Sequence, residues 1–432
     1  EQATNAAIDF DPNALRDKYR EERDKRLRTD GNEQYVEIKG QYAHYLEDPY
    51  IEERIERDPL TDEVDVVVIG GGFGGLLAGA RLREAGVKDL RMIEKGSEFG
   101  GTWYWNRYPG AACDIESYVY LPLLEETGFM PVEKYTRAPE ILEHSKRIAK
   151  KYDLYNNAAL QTEVEEVRWD ESLSRWIIKT NRGDAMKAKF VIMSNGPLNR
   201  PKLPGITGAT AVQCVPHLAE GADELYVFQR TPSSIDVRGD RETDWDWAKS
   251  LEPGWHKHRM ENFNILVSGG FAEEDLVNDG WTEIIRNLLF IASQGDNKNL
   301  SPEKLAEIAE LADFKKMEQV RARVDDVVKD PSVAEALKPW YRQFCKRPCF
   351  HDDYLAAFNK PNVHLIDTDG KGVDRINETS VFANGEEYEL DCLIYATGFE
   401  VGTEYTRRSG FELFGLSASS GRTEQSHCLA AR

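Results

Sequence analysis

The chain predicts an α/β protein made of two dinucleotide-binding, Rossmann-like domains with a helical insertion. An apolar strand, Val64 to Ile69, runs straight into Gly70-x-Gly72-x-x-Gly75 and a helical segment reaching about Ala85. A second turn of the same kind ends at Ala211, and Arg241 to about Trp340 is helical in pattern throughout.

In the first turn each glycine has a physical task. Gly70 permits the tight turn, Gly72 lets the backbone approach a pyrophosphate, and Gly75 lets helix and strand pack closely. The helix N-terminus adds free N–H groups and the positive end of its dipole. The next strand ends at Glu94, nineteen residues beyond Gly75, where an acid would bind ribose hydroxyls. Pro139 to Lys151 follows as an amphipathic helix with Ile141, Leu142 and Ile148 inward. Thr162 to Thr180 reads as a hairpin around Asp170-Glu171-Ser172. Phe190 to Met193 is a short strand whose exit through Gly196, Pro197, Pro201 and Pro204 predicts an interdomain hinge.

Thr207-Gly208-Ala209-Thr210-Ala211 matches the last five residues of a G-x-G-x-x-A turn, with Thr210 to Ala222 as its helix and Leu225 to Phe228 as the next strand. Pro204-Gly205-Ile206 cannot supply the strand that must precede such a turn, so additional residues are expected between Ile206 and Thr207. Arg230 ends the strand, where a 2′-phosphate needs a cation rather than an acid, favouring NADP over NAD.

In the helical block, Ser301-Pro302-Glu303 is a helix start, and Met317, Val320, Val324 and Val327 recur at core spacing. Trp281, Ile284, Ile285, Leu288 and Leu289 form a second stripe, and the block is a candidate wall for a substrate pocket. Asn362 to Ile366 is a strand. Tyr388 to Tyr395 is another, ending at Ala396-Thr397-Gly398-Phe399, where small residues let the backbone approach a flavin nucleotide. The expected division is a helical extension over 1–60, whose charged run Asn13 to Arg28 reads as a solvated helix wrapped around the domain behind it, then a flavin-nucleotide-binding domain over 61–200 and 375–432. An NADP-binding domain covers 201–240 and 340–374, and the helical insert covers 241–339. The tail from Phe411 shows no pattern, and further residues are expected there.

The net charge of -21 over 432 residues argues against general affinity for nucleic acid or anionic membrane. No stretch approaches about eighteen uninterrupted apolar residues, and the charged N-terminus is not a signal peptide, which predicts a soluble, cytoplasmic chain. The six cysteines are scattered. Cys345 and Cys349 lack a second pair or a His doublet, so no metal site is expected. Only Cys113 follows the first turn, where disulfide oxidoreductases of this architecture carry a CxxxxC pair.

The run Gly100-Gly101-Thr102-Trp103-Tyr104-Trp105-Asn106-Arg107-Tyr108-Pro109-Gly110, continuing Ala111-Ala112-Cys113-Asp114-Ile115-Glu116-Ser117, resembles the block after the flavin motif of type I Baeyer–Villiger monooxygenases. Phe228-Gln229-Arg230-Thr231-Pro232, Lys346-Arg347 and Ala396-Thr397-Gly398 occur in that family's order, so the resemblance covers roughly residues 60 to 410. The family's Phe-x-Gly fingerprint with its following His belongs between the flavin domain and the second turn, and is missing where residues are expected to be absent. The resemblance implies FAD, NADPH, and insertion of one oxygen of O2 beside a ketone carbonyl to give an ester or lactone. It implies that Glu94, Thr102, Trp103, Tyr104, Trp105, Asp114, Tyr120 and Val164 line FAD. Thr207, Gly208, Ala209, Thr210, Ala211, Val212, Gln213, Arg230 and Thr231 would hold NADP, with Lys346 near its 2′-phosphate. Arg347 would be the catalytic arginine, its guanidinium stabilising the anionic oxidant and the charged adduct in a dry site, with Asp114 orienting it. The N-terminal extension and the helical insert resemble those of members that accept large or fused-ring ketones. Two rivals share these motifs: an N- or S-oxygenating flavin monooxygenase, and a flavin-binding protein without turnover.

Overall fold

The computed structural model describes residues 10–27, 29, 40–198, 209–293, 301–399 and 405–415. The chain forms two compact units, one of 38–107, 141–201 and 399–432, the other of 1–37, 108–140 and 202–398.

The first unit is built on a seven-stranded mixed sheet. Its order is Glu412–Phe414, Val164–Asp170, Arg175–Thr180, Ala185–Met193, Glu63–Ile69, Leu90–Ile93 and Ala158–Ala159. Glu63–Ile69 lies between two parallel partners, pairing Val67 with Val191 on one side and with Arg91 on the other. Flanked on both sides, its residues from Val66 to Ile69 are all buried, which is why it reads as an unbroken apolar run rather than an alternation. Val67, Ile178, Met186 and Ala188 join it in one core. The hairpin forms as expected, with a register shift between Val164 and Glu166. Ala185–Met193 is longer than the strand expected over Phe190 to Met193, because alternating lysines mask its first half. The tail is not patternless: Glu412–Phe414 pairs with the sheet edge at Val164–Asp170.

In the second unit, helix Ala209–Gly221 leads to Leu225–Gln229, which pairs in parallel with Val363–Asp367. Among the described residues these two strands are the whole of this sheet, and residues 199–208, directly before the helix, lie outside those described. Val212, Val215, Val227, Val324 and Leu355 close the core around it. The helical block resolves into Trp245–Lys249, Trp255–Val267, Gly280–Ser293, Pro302–Val327 and Pro331–Leu337. Ser301 caps the long helix by accepting the Lys304 N–H. The N-terminal helix, Pro12–Asp24, packs one face on the long helix Pro302–Val327: Tyr19 lies edge-on against Phe314 at 5.3 Å, and Leu15 is buried.

One expected strand does not form. Only Glu386–Glu389 forms a strand there among the described residues, and Leu393, Ile394 and Tyr395 are 36%, 53% and 40% exposed. Among the described residues no helix is long and apolar enough to cross a membrane.

Candidate active site

In the first unit the phosphate turn is shaped by steric exclusion. Gly70 has φ +105, and a Cβ there would lie 2.4 Å from the Ser194 carbonyl oxygen. A Cβ on Gly75 would sit 1.8 Å from the Gly70 carbonyl oxygen, so helix Phe73–Glu84 touches the strand backbone itself. Gly72 caps that helix with no side-chain bond. Its nearest neighbour on the Cβ side is the Gly101 Cα at 3.4 Å. No side chain fills the helix N-terminus at Gly72, and the cradle fits a pyrophosphate.

Glu94 is buried. It accepts the Gly71 N–H at 2.5 Å on one oxygen and the Gly96 N–H at 2.7 Å on the other. Burial pushes its pKa up against those two bonds. It braces the turn whose ribose partner it was expected to bind. Gly100 donates its N–H to the Gly71 carbonyl at 2.9 Å, which brings the Gly-Gly-Thr-Trp block against the turn. Tyr104 is buried and donates to Asp48 at 2.6 Å, its pKa pushed up to about 12 chiefly by burial. Trp103 is buried, while Thr102 and Trp105 are half-buried. The Val164 side chain belongs to the core.

In the second unit Asp114 is the hub. One carboxylate oxygen accepts Arg238 Nη2 at 3.0 Å and Gln213 Nε2 at 3.2 Å; the other accepts Arg347 Nη2 at 3.1 Å. Its backbone carbonyl accepts the Trp281 indole N–H at 3.1 Å. The two guanidiniums differ sharply, Arg238 being 3% exposed and Arg347 60%. Arg238 also donates to the Phe350 carbonyl, and Arg347 lies 5.8 Å from the Trp281 ring centre. One carboxylate between two permanent cations leaves a net positive charge directed at the exposed arginine. The expected dry site is not complete in the chain alone, since the Arg347 guanidinium meets solvent.

Arg238 and Trp281 were not legible as site residues, and nothing near them in the chain signals Asp114. Gln213, expected among the NADP ligands, is buried: its amide donates to the Ala112 carbonyl and Asp114 and accepts from Tyr108 at 2.7 Å. Ala211 and Val212 are buried, Thr210 is half-buried, and Ala209 starts the helix. Thr207 and Gly208 lie outside the described residues. Tyr120 closes the short helix Ser117–Tyr120 and is half-buried. Gly398 has φ +81 with open space around it.

A third cluster surrounds Thr231, also in the second unit. Lys346 donates to the Thr231 and Pro232 carbonyls at 3.1 and 3.3 Å, and burial lowers its pKa to about 8. Arg230 stands beside it at the end of Leu225–Gln229.

This fold, a glycine turn on a parallel strand with a second nucleotide-type unit, defines a pyridine-nucleotide-linked oxidoreductase, and residues 67–229 match the pyridine nucleotide-disulphide oxidoreductase family. Cys113 is nevertheless a free, buried thiol, its pKa pushed up to about 12 by burial. The chain is 51% identical to neopentalenolactone D synthase of Streptomyces avermitilis, covering 94% of this chain and 75% of that protein. It is 49% identical to the Baeyer–Villiger monooxygenase ATR8 of Stachybotrys chlorohalonatus, covering 94% and 72%. Its structure matches the polycyclic ketone monooxygenase of Thermothelomyces thermophila at a TM-score of 0.85, with 36% identity over 94% of this chain and 76% of that one. The chain belongs to the Baeyer–Villiger monooxygenases, oxidoreductases that insert one oxygen of O2 beside a ketone carbonyl. The alignment with the Streptomyces enzyme spans 449 positions against 432 residues here, so that enzyme holds residues within the aligned span that this chain lacks.

Proposed function

We propose that this enzyme is a cytoplasmic, FAD-containing, NADPH-dependent monooxygenase that converts large or fused-ring ketones to lactones. The observation that carries the reading is the Asp114 carboxylate shared between buried Arg238 and exposed Arg347. The turn Gly70 to Gly75, Glu94, Thr102 to Trp105 and Val164, all in the first unit, would hold FAD. Arg230, Thr231 and Lys346 would hold NADPH, which the helix beginning at Ala209 would also approach. When bound, the flavin supplies the oxygen chemistry.

The chain's own residues supply charge and position. Arg347 would present its planar guanidinium to the negative charge that the oxygen chemistry develops on the ketone. Asp114 holds that guanidinium by one nitrogen and leaves its remaining donors free. Arg238 takes the other carboxylate oxygen, so Asp114 does not fully neutralise Arg347. A bulky ketone seated over the exposed guanidinium would exclude the water that otherwise screens it. The names of the Streptomyces and Thermothelomyces relatives, a lactone synthase and a polycyclic ketone monooxygenase, support a fused-ring substrate.

The test is turnover of a fused tricyclic ketone, cyclohexanone and a thioether with FAD-loaded enzyme and NADPH, followed by mass spectrometry. Lactone, one oxygen heavier than the tricyclic ketone, is expected, with slower conversion of cyclohexanone. Sulfoxide alone, with no lactone from either ketone, would transfer the assignment to an S-oxygenating enzyme. Absence of NADPH consumption under every condition would make this a flavin binder without turnover.

A further inference from the structure

A cleft of about 640 Å³ lies between the N-terminal helix and the segment running from Lys338 to Lys346. Seven arginines and lysines line it against two glutamates, a local inversion in a chain of net charge -21. At one end stands the Thr231 hydroxyl. Arg26 Nε donates to it at 3.1 Å, while Nη1 holds the Glu22 carbonyl at 2.7 Å and its carboxylate at 2.6 Å. Arg230 Nη2 reaches the Arg26 carbonyl at 3.5 Å, and Lys346 grips the Thr231 carbonyl from the other side.

Three cations are thus gathered about Thr231 and Arg26: Arg26 on the Thr231 hydroxyl, Lys346 on the Thr231 carbonyl and Arg230 on the Arg26 carbonyl. The i,i+4 pair with Glu22 accounts for Arg26 as a helix-surface residue, but not for its bond to Thr231 or its approach to Lys346. Burial depresses the Lys346 ammonium pKa, and Arg26 and Arg230 push it the same way, so the like charges repel where they stand. A ligand with several anionic oxygens would turn that repulsion into charge-assisted hydrogen bonds.

We propose that Arg26, carried just beyond helix Pro12–Asp24, joins Arg230, Thr231 and Lys346 in gripping the 2′-phosphate of NADPH, so that the N-terminal segment is a clamp on the adenosine end of the cofactor. The inference rests on the NADPH reading above. The planar guanidinium fork suits phosphate, and Glu22 and Thr231 fix it before the ligand arrives.

The test is calorimetric titration of the full FAD-loaded chain with 2′,5′-ADP, NADP+ and NAD+. Arg26→Ala should weaken 2′,5′-ADP and NADP+ by about ten- to a hundredfold, the loss of one charged hydrogen-bonding partner, and leave NAD+ within about twofold. Arg26→Lys, which keeps the charge without the fork and guards against misfolding, should lie between. Wild-type affinity for 2′,5′-ADP in Arg26→Ala, alongside weakening in Lys346→Ala, would overturn the clamp while leaving the NADPH reading intact. Equal loss for NAD+ would make Arg26 structural and overturn it too. No binding of 2′,5′-ADP by the wild type would sink the NADPH reading itself, and the clamp with it.

Discussion

Arg238 and Arg347 bind the same carboxylate, yet their surroundings assign them different consequences. Arg238 is 3% exposed, so removing it strips Asp114 of its buried charge partner and leaves that oxygen with the Gln213 amide alone. Arg238→Met should therefore lower stability by about 3 kcal/mol, the usual penalty for breaking a buried pair on one side. Arg347 is 60% exposed, and Arg347→Ala should cost under about 1 kcal/mol. Activity should reverse the ranking. Arg347→Ala should bind FAD and oxidise NADPH while lactone formation falls by roughly 10²–10³, the cost of losing one fixed donor to a developing anion. Denaturation midpoints and the ratio of lactone to NADPH consumed measure the two effects. Normal coupling in Arg347→Ala would remove that arginine from the chemistry.

At the scale of elements, the phosphate turn is held by backbone contact rather than by side chains. Gly75→Ala would drive a Cβ to 1.8 Å from the Gly70 carbonyl oxygen, with no flexible side chain to move aside. The helix must then shift off the strand, at a cost of about 1–3 kcal/mol or more, and purified Gly75→Ala should lose its visible flavin absorbance. Gly86→Ala is the contrast: φ there is +84 with nothing within 4 Å, so flavin should remain. Equal flavin content in both variants would show that the close approach is dispensable. The same contrast marks what the sequence could carry. Val64 to Ile69, the 162–180 hairpin and the Ser301 cap were legible because their signals are local: period, turn residues and capping chemistry. Tyr388 to Tyr395 misled because apolar character predicts a strand only where a neighbouring strand exists to pair with, and among the described residues the sheet ends at Glu389. Asp114 was legible through its motif, but its bond to Arg238, 124 residues away, depends on how Ile235–Asp236 pairs with Cys349–Phe350.

For the molecule as a whole, pH exposes two opposed sets of carboxyl groups. Glu94, Glu116 and Asp279 have raised pKa values, with burial the leading cause in each, so the folded state favours their protonated forms and they lose stability as pH rises. The net charge of -21 acts in the same direction through self-repulsion. Asp184 and Glu22 run the other way. Burial raises the Asp184 pKa, but two bonds from Arg57 at 2.6 and 2.7 Å, with Thr180 and the Leu60 N–H, outweigh it and hold the value at about 2. Burial likewise works against Glu22, and Arg26, Lys18 and Lys25 overcome it to give about 2. A depressed carboxylate contributes stability in full above its ordinary pKa near ~4 and loses it as the pH falls toward the folded value. The midpoint of thermal unfolding, followed with FAD in excess, should therefore rise modestly from pH 8 to about 5 and then fall steeply between about 4 and 2. Asp184→Asn should unfold at lower temperature at neutral pH, because Arg57 keeps its place without a charge to meet, yet decline less steeply below pH ~4. A wild-type slope on the acid side in Asp184→Asn would mean that other carboxylates govern acid unfolding, and Glu22→Gln, which removes the second depressed group, would be the next variant to measure.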